Sequence, residues 1–119
     1  MSAKKKKNQK RGRRNRQRGS ELQREAVNIA KSFGLLAYNR DRGGAQHEMG
    51  DVEMAGKYYG CKRRKSIPKY LLPEKEEIGV VFRGDRIEPQ IAIPFDLYCF
   101  ILSEWLKAIN GKIEEDFDL

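Results

Sequence analysis

What this 119-residue sequence lacks narrows it quickly. No apolar run approaches the roughly 18 residues of a membrane span, and the N-terminus has no apolar stretch of the secretory kind, so the chain is expected to be soluble, cytoplasmic and without a membrane partner. Its two cysteines, Cys61 and Cys99, have neither a CxxC spacing nor enough companions for a zinc site or a disulfide framework, and are expected as reduced core residues. No internal repeat is visible. The first twenty residues contain no acid at all.

Those twenty residues do contain ten Lys or Arg, which leaves fifteen basic against seventeen acidic residues in the rest of a chain whose formal charge is +8. The basicity is therefore a property of the tail, and the body is slightly acidic. Residues 1–19 have no hydrophobic periodicity, so they are expected to be disordered alone and to order on a polyanion. A solubilising or targeting tail is the plainer alternative. The density of Arg11, Arg13, Arg14, Arg16 and Arg18 points to phosphate contact, which gives affinity and salt dependence without sequence preference. The length allows one domain, placed at 20–110, followed by an acidic tail at 111–119.

Order begins at Ser20, which with Gln23 fits a capping box; Leu22, Ala26, Ile29, Ala30 and Phe33 recur at helical spacing until Gly34 stops the pattern. "LLAYNR" reads as a strand and "DRGGAQHEMG" as a Gly-rich loop. "DVEM" and "KYYGCKR" form a hairpin around Ala55-Gly56. The two prolines of "KSIPKYLLPEKEE" make it a loop with at most a short helical turn. "IGVVFR" and "PQIAI" form a second hairpin, and a last helix spans about Asp96 to Ile109 with Leu97, Phe100, Ile101, Leu102, Trp105 and Ile109 as its apolar face. The class is α/β.

With Ala55 and Gly56 as the turn, Met54 pairs with Lys57, Glu53 with Tyr58, Val52 with Tyr59, and Asp51 falls opposite Gly60. Alternation then puts Lys62 on the face of position 60 and turns Tyr59 and Cys61 to the core. Asp51, position 60 and Lys62 converge. Hydrolysis of a phosphodiester asks for such a grouping: carboxylates hold a hard divalent cation against a phosphate oxygen, and a lysine orients or helps deprotonate the attacking water. The plainer alternatives are an Asp51 that bonds its own loop and a Lys62 that opens a solvated basic patch. Arg42 in the Gly-rich loop and Arg63, Arg64 and Lys65 beyond Lys62 are further candidate phosphate contacts.

The layout resembles the archaeal-type Holliday-junction resolvases and their phage relatives in the PD-(D/E)XK nuclease superfamily, over about Arg18 to Leu106. "RGSELQREAVNIAKSFG" is similar to the family's first helix, "GDVEMAG" to its metal-aspartate strand, and "GCKRRK" to the strand that normally reads acid, any residue, lysine. "GVVFRGDRIEPQIAI" with the last helix resembles its closing hairpin and helix. The resemblance implies a restriction-endonuclease-like domain with a central mixed β-sheet of about five strands flanked by helices. It also implies Mg²⁺ or Mn²⁺, a homodimer, branched or double-stranded DNA as partner, and cleavage of four-way junctions in a prokaryotic or phage-infected cell.

Carried over, the metal aspartate falls on Asp51 and the lysine on Lys62, while the second acid falls on Gly60 and the helix-one glutamate on Gln23. A serine often found before the aspartate is not evident in "GGAQHEMG", and the loop after the third strand is shorter than the family's. Substitute acids are Glu48, which beside His47 can fold back into the space left by Gly60, Glu53, about 7 Å nearer the turn, and Glu25, about 200° around the helix from Gln23. Glu48 is preferred, making Asp51, Glu48 and Lys62 the catalytic set and Asp51, Glu48 and Glu53 the metal candidates. The expected function is a metal-dependent, junction-resolving endonuclease; the alternative is a noncatalytic DNA binder on the same fold. An RNA-binding protein is a third possibility, but the chain has no aromatic stacking signature such as an RRM's.

Overall fold

A computed structural model describes residues 20–40 and 51–110. Helix α1 covers residues 20–32, followed by β1 (Ala37–Asn39), β2 (Val52–Met54), β3 (Lys57–Tyr59), a 3-10 turn (Lys69–Leu71), β4 (Val80–Phe82), β5 (Gln90–Ala92) and α2 (Phe95–Asn110). No described helix is long and apolar enough to cross a membrane. Both tails, Arg42, His47 and Glu48 lie outside the described residues.

The mixed α/β class stands, but the expected central sheet does not. Among the described residues the five strands form two sheets, β1-β2-β3 and β4-β5, and every pairing is antiparallel. The reason lies between β3 and β4. Strand β3 stops at Tyr59 instead of running to Arg63, and residues 62–70 are exposed. Pro68 and Pro73 cannot supply the ladder N–H groups that would carry pairing through this stretch.

Helix α1 ends as Gly34 predicts. Gly34 takes φ 84°, its N–H donates to the Lys31 carbonyl at 2.9 Å and that of Leu35 donates to Ala30 at 3.1 Å, a Schellman motif that satisfies the last carbonyls. At the other end Ser20 is already helical rather than capping, and Gln23 is 8% exposed. The β2-β3 turn places Ala55 at φ 51° and Gly56 at φ 80°, the two positive angles of a type I′ turn. An alanine there costs about 1–2 kcal/mol of backbone strain. Its methyl group is fully buried and its N–H donates to the Leu36 carbonyl at 2.9 Å, so packing and a hydrogen bond offset that cost.

The core is one cluster: Val27 and Ala30 of α1, Leu35, Ala37, Val52, Met54, Ala55, and Cys99, Leu102 and Leu106 of α2. Tyr59 and Cys61 pack against it, as alternation along β3 predicts, and neither Cys61 nor Cys99 is in a disulfide. The face of α2 differs from expectation. Cys99, Leu102, Ser103 and Leu106 are buried, whereas Phe100, Ile101, Trp105 and Ile109 are exposed. Apolar residues lie on two sides of this helix, so periodicity alone does not choose the inward one. Ser103 is accepted inside because its hydroxyl donates to the Phe100 carbonyl at 2.8 Å.

Candidate functional site

The β2-β3 register is the one the turn dictates: Val52 opposite Tyr59, Glu53 opposite Tyr58, Met54 opposite Lys57. Beyond the ladder the two strands stay joined by Asp51. Its N–H donates to the Tyr59 carbonyl at 2.9 Å, and its carboxylate Oδ2 accepts from the Cys61 N–H at 2.8 Å. One carboxylate oxygen is thus held over the chain between Gly60 and Lys62.

Gly60 is exposed, and a Cβ built on it would meet the Lys62 Cε at 3.8 Å, an ordinary van der Waals contact and the nearest one among the described residues outside its chain neighbours. A side chain at position 60 would therefore lie alongside the lysine. Cys61 senses both neighbouring charges. Burial pushes its thiol up most, the Asp51 carboxylate pushes it further in the same direction, and the Lys62 ammonium pulls it down. Asp51 and Lys62 accordingly both lie near Cys61.

After Tyr59 the chain turns toward α1. Gly60, Cys61 and Lys62 line a cavity of about 350 Å³ together with Glu25 and Leu22 of α1 and Phe95 of α2. Arg63 then anchors the segment to α1 through Glu21, Nη1 to Oε2 at 3.0 Å, with both side chains largely in solvent. Arg64 and Lys65 are exposed. Of the carboxylates considered as substitutes, Glu25 faces the same cavity as Lys62 and Gly60. Glu53 does not line that cavity; it stands opposite Tyr38 and Tyr58 in the sheet. Gln23, where the resemblance implies a glutamate, is buried and is not part of the cavity wall. Glu48 and Arg42 are outside the described residues. Sequence reasoning gave Glu25 less weight because it lies about 200° around α1 from Gln23; in the structure Gln23 is the buried one of the two, and Glu25 shares the cavity with Gly60 and Lys62, though Asp51 does not line it.

The supporting layer behind the site is aromatic. The Tyr59 and Tyr98 hydroxyls hydrogen-bond at 2.6 Å, their rings meet edge to face at 5.9 Å, and Phe95 stacks on Tyr98 at 6.5 Å. Burial first, then the bond to Tyr98, pushes the Tyr59 hydroxyl well above the ordinary tyrosine range, so it stays protonated. This layer fixes the end of β3 against α2, and with it the carbonyl of Tyr59 that receives the Asp51 N–H.

Magnesium commonly binds through one or two carboxylates, the remaining oxygens coming from water and substrate phosphates. Asp51 could serve as one such ligand, since its bond to Cys61 engages one carboxylate oxygen and, among the described residues, Gly60 leaves the adjacent space open. Among the described residues no three His, Cys, Asp or Glu side chains converge as a complete donor set. Compared with protein-family models, curated proteins and solved structures, the chain matches none, and the site is read from its own residues.

Proposed function

We propose that the chain is a divalent-metal-dependent DNA endonuclease of the junction-resolving kind, acting as a homodimer with Mg²⁺ or Mn²⁺. The observation that carries the reading is the Asp51–Gly60–Lys62 grouping: a carboxylate tied to the Cys61 N–H at 2.8 Å, and a lysine whose Cε lies 3.8 Å from where a side chain at position 60 would start. A bound divalent ion supplies charge neutralisation at a phosphate oxygen and acidifies a water. Asp51 would hold that ion through the carboxylate oxygen that does not bond Cys61. Lys62, exposed at the cavity mouth, holds a water or a phosphate oxygen by its ammonium hydrogens. Arg64 and Lys65 beside it, and the ten basic residues of the first twenty, supply phosphate contacts.

The homodimer is supported by apolar surface that the described residues leave open. Ile101 and Ile109, eight residues apart on one side of α2, are each about half exposed. Two symmetric cuts across a junction are what a two-fold dimer delivers.

A noncatalytic DNA binder is the second reading, favoured by the glycine at position 60 and by the burial of Gln23 away from the cavity. One experiment separates the two: a labelled four-way junction incubated with the protein in Mg²⁺, Mn²⁺ or EDTA. The nuclease reading expects metal-dependent cuts that fall by about 10²-fold or more in Asp51→Asn and Lys62→Ala while junction binding persists. Binding without cleavage in either metal selects the second reading.

A further inference from the structure

The β1-β2-β3 sheet shows its two faces very different surroundings. Ala37, Val52 and Met54 point into the core and are at most 2% exposed. The alternate positions point outward, where Tyr38, Glu53 and Tyr58 lie opposite one another across the three strands in a single row. Tyr38 is 42% and Tyr58 43% exposed. One exposed tyrosine is unremarkable, but two in one row on a flat sheet face make a surface. Their strands are two apart, which sets the rings about 10 Å from each other.

Arg40 adds charge to that surface. Its guanidinium carbon sits 4.4 Å from the centroid of the Tyr58 ring, and its Nε is buried with no hydrogen-bond partner among the described residues. Its backbone N–H donates to the Asp51 carbonyl at 3.0 Å, so the row and the candidate metal aspartate are next to each other. Glu53 stands between the two tyrosines. A carboxylate there repels a phosphate but accepts hydrogen bonds from base N–H groups, which favours bases over backbone above the row. The chain's formal charge of +8 and its basic first twenty residues complement a polyanion.

Exposed aromatic rings with an adjacent arginine are the elements by which proteins hold unpaired bases, because every base offers a face for stacking. We propose that this sheet face is a stacking platform for single-stranded DNA, with one base on Tyr38 and another on the Arg40–Tyr58 pair, whose guanidinium already lies over the ring. The choice of DNA over RNA rests on the nuclease reading above; the platform itself does not. A strand lying along it would pass beside Asp51.

The test is fluorescence anisotropy of the full chain in EDTA, where cleavage plays no part, so failure of the nuclease reading leaves the outcome interpretable. The probes are a labelled oligothymidylate, an abasic strand of the same length, the corresponding oligouridylate and a blunt duplex. Wild type should prefer the oligothymidylate over the abasic strand. Tyr38→Ala and Tyr58→Ala should each weaken that binding about tenfold, within the range of one lost stacking contact. Tyr→Phe at either position should retain it, and the duplex affinity should change less than about twofold, since phosphate contacts carry it. Equal affinity for abasic and base-bearing strands in wild type would overturn the platform, and that comparison needs no variant to fold. Equal affinities of wild type and the Tyr38→Ala/Tyr58→Ala double variant would do the same. Tighter binding of the oligouridylate would overturn the choice of DNA.

Discussion

The β1-β2-β3 sheet and the β4-β5 hairpin are built from strands of equal length, three residues each, yet they use their side chains differently. In the first, Ala37, Val52 and Met54 vanish into a core shared with both helices. In the second, Val81 and Ile91 lie opposite each other and are 72% and 62% exposed. A two-stranded ribbon has little stability of its own. The hairpin is closed tightly all the same: Gly79 passes so near β5 that a Cβ there would come within 2.7 Å of the Ala92 carbonyl oxygen. The buried core of the described fold thus lies under the sheet that positions Asp51, while the hairpin presents apolar surface outward.

The largest effect should come from cutting into the shared core. Leu106→Ala removes a fully buried side chain and should lower unfolding free energy by about 2–5 kcal/mol in urea denaturation. Ile91→Ala at low protein concentration should change it by less than about 0.5 kcal/mol. Equal losses would erase the contrast between the two sheets.

A smaller effect is expected from the layer behind the site. Tyr59→Phe leaves the Tyr98 hydroxyl without its 2.6 Å partner and should cost about 1 kcal/mol. The same layer makes stability sensitive to high pH. Burial pushes the Cys99 thiol up from 9.0 to about 11, and the Tyr59 hydroxyl is also raised, so both stay protonated when folded at pH values where the unfolded chain ionises. The unfolded chain then binds fewer protons than the folded one, and stability is full below about pH 9 and falls as pH rises from there. Cys99→Ala should flatten the fall between pH 9 and 11, which denaturation midpoints across that window would reveal.

The smallest effect belongs to the exposed Arg63–Glu21 pair. Arg63→Ala should change stability by no more than about 1 kcal/mol, and raising the salt concentration should shrink the difference further. A larger loss would show that this ion pair, rather than the Tyr59 layer, holds the segment after β3 against α1.

Local chemistry made part of this legible in the sequence. The Ala55-Gly56 turn and its register followed from hairpin geometry, and the Gly34 stop followed from the need for a left-handed residue at a helix end. The nearness of position 60 to Lys62 followed from alternation. What required tertiary packing was not legible. Cys99 is buried as its residue type suggested, but helix α2 is apolar on two sides, so the burial of Leu106 rather than Ile101 and Trp105 was decided by what α2 meets. The turn of residues 60–62 toward Glu25 depends on β3 stopping at Tyr59. Tyr38 and Tyr58, twenty residues apart, become neighbours in a row only once both pair with β2.

The most direct test of the central claim, that position 60 is the acid position of a nuclease site, is the single-turnover rate of junction cleavage by Gly60→Glu as a function of Mg²⁺. Among the described residues the new Cβ meets the Lys62 Cε at 3.8 Å, an ordinary contact that leaves room for a side chain. Gly60→Glu should cut the junction faster than wild type and reach its plateau at lower Mg²⁺, and it should rescue Glu48→Gln if Glu48 serves as the substitute acid. A Gly60→Glu protein that is folded, binds the junction and cuts no faster than wild type at any Mg²⁺ concentration would contradict the account.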